Sequence, residues 1–346
     1  MKQWKKSIKK FLINGGFFGL IIFLTYHFVF SNLDYKSILH HLDSLNLNYV
    51  IIAFLGVLLM LAIETLIIKR NLKVLGTNIP YFSCLKYTFA GNFFGAITPA
   101  ATGGQPMQVY LMRQDGVSSA KSTLALMLDL SAYQSAIVSF ATLGLLIYRK
   151  SIMQMFKAYI PFVVVGILFN TLLLILVLLV LFSDKLIYNL IDSVISIFKR
   201  FKYKKIDTLK ETTHAWIERY KQSATIIKKH PDNSIINFSL MFIKIGLMFS
   251  TTFWIYKGLG LEGNSFLFIF FMQAVLHISY AALPLPGGVG IGETAFLISF
   301  GAIFGQGTLD IAMLLSRGIG FYFIVLISGL ALSIVLLKQQ FKLETH

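Results

Sequence analysis

Residues 91–106 read GNFFGAITPAATGGQP and residues 284–293 read PLPGGVGIGE. Each run interrupts a long apolar stretch, about 82–112 for the first and about 264–305 for the second. Proline has no N–H to donate and paired glycines favour non-helical backbone, so a helix that enters either run must stop and restart. Inside a bilayer, non-helical backbone persists only where protein encloses it, and each stretch is expected to be a re-entrant hairpin of two half-helices. The fold class that follows is all-α: a polytopic integral membrane protein with about six full spans plus two re-entrant helical hairpins.

Composition agrees. Of 346 residues, 56% are apolar and 13% charged, against about 25% charged in soluble domains, and the mean hydropathy is +0.73. Collagen, coiled coil and disorder are excluded. The formal charge is +16 and the pI near 9.7, a balance that suits nucleic acid or an anionic membrane surface. The apolar runs decide for the membrane and against nucleic acid. A lone cysteine, Cys84, excludes an intramolecular disulfide and any multi-cysteine zinc or iron–sulfur site.

Lys2, Lys5, Lys6, Lys9 and Lys10 precede an apolar run at 11–30, which predicts an uncleaved first span with a cytoplasmic N-terminus. A cleaved signal would need a small-x-small site where Thr25-Tyr26-His27-Phe28 stands. Further spans are expected at about 47–68, 118–148, 159–182, 235–256 and 308–337, returning the C-terminus to the cytoplasm. Most Lys and Arg then fall on the cytoplasmic side; Lys36, Arg149, Lys150, Lys157 and Lys257 are outside it. A rival layout in which both hairpins cross fully leaves the termini unchanged, and both layouts stay open.

The whole chain, 1–346, reads as one membrane domain with a basic cytoplasmic connection at about 183–232. There Ile187, Leu190, Ile191, Val194, Ile197 and Phe198, then Leu209, Trp216, Ile217 and Tyr220, recur at helical spacing. Between them Lys199, Arg200, Lys202, Lys204 and Lys205 suit anionic lipid headgroups, or serve only to fix topology.

Laying Gly103-Gly104 over Gly287-Gly288 aligns the two interrupted stretches, with Pro99 near Pro284 and Asn92 near His277. Repeat 1 covers about 47–148 and repeat 2 about 235–337. With the span order above they have opposite orientation, the inverted-repeat arrangement that places a substrate site near the midplane.

Ionisable residues inside spans are costly and mark function or pairing. Asp129 and Arg317 fall at equivalent places and are expected to meet. Glu64 and Lys244 read as snorkelling side chains near span ends. Glu293 sits where a carboxylate caps the helix after the second break. For anion binding the candidates are Thr102, Gly103, Gly104 and Gln105 at one half-helix start, Pro286, Gly287, Gly288 and Gly290 at the other, and Arg113 as a nearby fixed charge. The glycines equally suit close helix packing.

The two quoted motifs, with Arg113 and a glycine break between them, resemble the transmembrane flippase domain of lysylphosphatidylglycerol synthases, the multiple peptide resistance factor type, over roughly 10–337. The closest pattern match lies in Pro286, Gly287, Gly288, Gly290 and Glu293. The resemblance implies a bacterial inner-membrane protein that moves anionic or aminoacylated phospholipid between leaflets and contributes to antimicrobial peptide resistance, with Glu293 facing a lysyl ammonium. Those synthases carry a soluble aminoacyl-transfer domain, and this sequence ends at His346, so transfer chemistry would have no place to reside. No phosphate-loop or H-E-x-x-H motif occurs. No catalytic residue, cofactor or metal is assigned. A membrane lipid transferase, a small-solute secondary transporter and a homo-oligomer stay as alternatives.

Overall fold

The computed structural model describes residues 42, 44–157, 159–183, 206–281, 283 and 285–344. The expected span at 11–30, the helix at 187–198, the basic cluster at 199–205 and Pro284 lie outside the described residues. All regular structure among them is helical. In chain order it comprises α1 (Leu47–Val74), α2 (Tyr81–Ala96), a 3₁₀ turn (Pro99–Ala101), α3 (Gly104–Gln114), α4 (Ser119–Ile147), α5 (Arg149–Met155), α6 (Ile160–Phe182), α7 (Ile206–Lys229), α8 (Pro231–Gly258), α9 (Phe266–Ala281), a second 3₁₀ turn (Pro286–Gly288), α10 (Ile291–Arg317), a π-helical turn (Gly318–Tyr322) and α11 (Phe323–Glu344).

Among the described residues, six stretches are long and apolar enough to cross a bilayer: Leu47–Val74, Ser119–Ile147, Ile160–Leu181, Pro231–Gly258, Pro286–Gly305 and Gly307–Ile334. The chain is a multi-pass membrane protein. Five of these match spans expected from sequence. The sixth, Pro286–Gly305, is the second limb of an interrupted stretch, longer than the half-helix expected there. Gly305, at φ 72° and ψ 165°, separates it from the span that follows. By contrast α2, α3 and α9 have 16, 11 and 16 residues, or about 24, 16 and 24 Å at 1.5 Å per residue, short of the roughly 30 Å hydrocarbon core.

The longest helix contact is between α1 and α8, which run in opposite directions. At one end Asn46 N–H donates to the Gly258 carbonyl at 2.8 Å. Midway the Glu64 carboxylate meets Lys244 Nζ at 3.1 Å. At the other end Arg70 Nε and Asn71 Oδ1 reach Asn237 at 3.0 and 2.6 Å. Polar pairs of this kind fix register in a bilayer, where apolar side chains gain little by leaving lipid for protein.

Around this axis the other helices pack in corresponding pairs: α4 on α9, α2 on α11, and the two 3₁₀ turns on each other. Gly144 of α4 receives Phe271 of α9, and Gly329 of α11 receives Phe93 of α2; a methyl group at either glycine would lie 2.8 Å from a phenylalanine carbon. The turns match in the backbone of their first residues only, since Thr102 and Gly103 are right-handed helical where Val289 is extended and Gly290 has φ 84°. Each begins at proline, continues through two left-handed residues, Ala100-Ala101 or Gly287-Gly288, and leads to a glycine that precedes the next helix, Gly103 or Gly290. This register differs by three residues from the one expected from sequence. The left-handed pair of the first turn is made of alanines, so matching glycine with glycine misplaces it.

The amphipathic helix expected around Trp216 is α7, which packs on α4. Its apolar residues Ile217, Tyr220, Ala224 and Ile227 join Leu124, Leu128, Val177 and Leu181 in one buried cluster. That face is covered by protein, leaving α6, with Val164, Leu168, Phe169 and Leu172 exposed, to meet lipid.

The antiparallel register has a direct check. In a Cys84→Ala background, Asn71→Cys with Asn237→Cys should form a disulfide on mild oxidation, detected by mass spectrometry of the linked peptides. Asn71→Cys with Tyr256→Cys, which parallel packing would bring together, should stay unlinked.

Candidate functional site

The first break closes on its own side chains. Thr98 Oγ1 donates to the Phe94 carbonyl at 2.6 Å and accepts from Gly103 N–H at 2.8 Å, which satisfies one of the orphan donors that any helix start leaves. Thr102 N–H and Oγ1 both donate to the Pro99 carbonyl, at 3.2 and 2.9 Å. The limbs approach closely: a methyl at Gly104 would stand 2.7 Å from the Gly91 carbonyl oxygen, and Gln108 Nε2 donates to the Tyr87 carbonyl at 3.2 Å. Ala100 and Ala101 hold φ of 50° and 56°, a conformation costing an L-residue about 1–2 kcal/mol. Such strain persists where surrounding contacts impose it, and it concentrates at functional sites. Pro99, Ala101, Thr102 and Gln105 are exposed.

The second break is closed by ions. Glu293 is 2% exposed. Its Oε2 accepts from Gly290 N–H at 2.7 Å, while Oε1 accepts from Arg317 Nε at 2.7 Å and from Tyr322 Oη at 3.0 Å. Arg317 Nη2 also donates to the Gly287 carbonyl at 3.1 Å, and its guanidinium lies over the Phe321 ring at 4.4 Å. The π turn presents Phe321 and Tyr322 to this cluster; an extra residue in a helical turn re-aims the side chains beyond it.

A second charged cluster lies on the α1–α8 contact. Glu64 and Lys244, 7% and 8% exposed, form an ion pair, and Asn92 Nδ2 donates to Glu64 Oε2 at 3.3 Å. Asp129 on α4 is within electrostatic reach of both charges. Its Oδ1 is shielded and has no hydrogen-bond partner. One helical turn on, Tyr133 Oη bonds His277 Nε2 at 2.9 Å, and His277 Nδ1 bonds Tyr280 Oη at 3.2 Å. Tyr280 in turn interacts with Arg317, so the two charged clusters are joined through α4 and α9.

Several sequence expectations change here. Asp129 and Arg317 do not pair, because Arg317 is held by Glu293 on its own side of α10 and Asp129 faces α1 and α8. Glu64 and Lys244 do not snorkel; each finds the opposite charge on the facing helix, which costs less than leaving it single in hydrocarbon. Glu293 is a cap, as expected from its position, and its oxygens also accept from Arg317 and Tyr322. Arg113 stands in the last turn of α3, about 14 Å along the helix from Gly104, so it does not converge with Thr102, Gly103, Gly104 and Gln105. Pro286, Gly287, Gly288 and Gly290 do gather at the second break, against the first. Sequence reading passed over Tyr133, Tyr280 and Tyr322, whose aromatic character reads as ordinary packing until their hydroxyls are seen to meet polar partners.

A model of the family described as lysylphosphatidylglycerol synthase TM region matches residues 11–328. The chain is also 22% identical over 299 residues to a UPF0104 membrane protein of Archaeoglobus fulgidus, across 84% of this chain and 88% of that relative.

Charge exchange tests the pairing. Lys244→Gln or Glu293→Gln alone should lower the melting temperature in detergent, each by the equivalent of about 3–5 kcal/mol, because a charge is left single in the interior. Glu64→Lys with Lys244→Glu should recover part of the loss, whereas Asp129→Arg with Arg317→Asp should fall below both of its single variants.

Proposed function

We propose that this chain, which belongs to the lysylphosphatidylglycerol synthase transmembrane-region family, moves an anionic or aminoacylated phospholipid between the leaflets of the cell membrane. Family membership supports a membrane-lipid role. The reading rests chiefly on the two broken helices, which pack turn against turn beside the antiparallel α1–α8 pair.

In this reading, residues of about 47–148 and 235–337 form two units of opposite orientation, α2–α3 and α9 with the part of α10 before Gly305 are re-entrant from opposite sides, and both termini are cytoplasmic. The left-handed pair that follows proline in both turns and the reversed direction of α1 and α8 support the inversion. Inverted repeats with broken helices at their interface are the arrangement in which alternating access is achieved by rocking one unit against the other.

The chemistry required is modest. A phosphodiester crosses lipid slowly because its hydration must be removed, and it crosses faster if protein dipoles substitute for that water. The exposed Gln105 amide and the first-turn N–H groups of α3 supply such dipoles at the first break. Acyl chains remain in lipid along the apolar exterior. Arg113, exposed at the far end of α3, gathers anionic headgroups at the cytoplasmic mouth and does not hold the phosphate at mid-depth.

Purified protein in liposomes with fluorescent phosphatidylglycerol in both leaflets tests this. An impermeant quencher should extinguish the outer-leaflet pool in empty vesicles and the whole pool when the protein is present. Gln105→Ala should slow the second phase about tenfold, the loss of one hydrogen bond to a charged group, without altering the melting temperature. Arg113→Ala should slow it less, and its effect should vanish at high salt. Quenching confined to the outer leaflet with folded wild-type protein contradicts the proposal.

A further inference from the structure

The cluster on the α1–α8 contact does not balance. Glu64 and Asp129 contribute two negative charges and Lys244 one positive charge, whereas Glu293 and Arg317 cancel. Asp129 lies ten residues into α4, about 15 Å from its start, near the middle of a hydrocarbon core of about 30 Å. An anion at that depth is costly unless compensated, yet Oδ1 has no hydrogen-bond partner, and Lys244 is already engaged by Glu64.

The charges around Asp129 can be named helix by helix. From α1 comes Glu64 and from α8 Lys244. The α6 segment carries no ionisable residue. From α9, His277 and Tyr280 approach through Tyr133. Arg113 of α3 and Arg149 and Lys150 of α5 stand at the two ends of α4 and are exposed. Lys228 of α7 lies beside Leu124 and Leu128, toward the start of α4.

We infer that Asp129 is a proton-binding site that couples the lipid movement proposed above to a pH difference across the membrane. A proton from water on one side forms an O–H bond with the carboxylate, and the same bond breaks to release it on the other; no other bond changes. The protonated, neutral side chain leaves Lys244 to Glu64 alone. The deprotonated side chain draws the Lys244 ammonium between two carboxylates. Lys244 belongs to the unit 235–337, and Glu64 and Asp129 to the unit 47–148, so the proton changes the attraction across the contact on which the units would rock. Any rearrangement that alters this contact must alter proton affinity by the same factor, since coupling is reciprocal. The hydrogen-bonded series Tyr133, His277 and Tyr280 carries the effect toward Arg317 and the second break. A proton fits better than a metal cation, because the Lys244 ammonium repels a second cation, and among the described residues no group of three His, Cys, Asp or Glu could hold one.

Two measurements on the full chain test this. In proteoliposomes, an imposed pH difference should shift the steady-state distribution of labelled phosphatidylglycerol between leaflets, by up to about tenfold per pH unit for one proton per lipid. Asp129→Asn should show the same distribution with and without the gradient, whatever its rate, and Asp129→Glu should regain the response. Replacing sodium with choline should change nothing. Separately, infrared difference spectra of the protein between acid and alkaline buffer should show a protonated-carboxyl carbonyl band that Asp129→Asn abolishes while its melting profile stays cooperative. A gradient response that survives in folded Asp129→Asn, a requirement for sodium, or a carboxyl band unaffected by the substitution overturns the inference. If folded wild-type protein moves no lipid, the lipid reading fails, and the infrared band still decides whether Asp129 takes up a proton.

Discussion

Hydrocarbon offers no hydrogen-bond partner, so a chain that breaks its helices within a membrane must close each break with groups of its own. This protein closes its two breaks by different means. At the first break a single hydroxyl, that of Thr98, both donates to the preceding helix and receives the N–H that opens the next. At the second break the Glu293 carboxylate ties the helix start to Arg317 and Tyr322, and Arg317 returns to the Gly287 carbonyl. Without either closure, backbone N–H groups at a helix start would lose their partners.

The same economy governs the charges. Glu64 is paired with Lys244 across the α1–α8 contact, and Glu293 with Arg317 beside the second break. One pair holds the two proposed units together along α1 and α8, while the other holds the second break shut. Buried pairs add little net stability compared with apolar side chains, so their presence points to register and switching. Asp129 has no ion-pair partner among the described contacts, and it sits where both proposed units touch.

Much of this was legible in the sequence. Proline and glycine runs within apolar stretches announced both breaks, since backbone chemistry acts locally, and hydropathy located five of the six spans among the described residues. Partner choice was not legible. Asp129 and Arg317 occupy equivalent positions, which suggested that they meet; equivalence across a two-fold relation brings residues together only near its axis, and α4 and α10 turn these side chains toward different neighbours. Nor could composition reveal that Ala100 and Ala101 adopt the left-handed conformation that Gly287 and Gly288 adopt easily, because tertiary contact imposed it. Arg113 reads as a fixed charge near the first break, but it is the tenth residue of α3 and lies about 14 Å along the helix from Gly104.

If the contact between the two breaks is the moving part, fixing it should stop lipid and leave the fold intact. Cysteines at Ala101 and Pro286, in a Cys84→Ala background, can be bridged by a short reducible thiol cross-linker in proteoliposomes, and lipid movement followed before bridging, after it and after reduction. The account predicts that movement ceases on bridging and returns on reduction. Movement that continues at its original rate through fully bridged protein would contradict it.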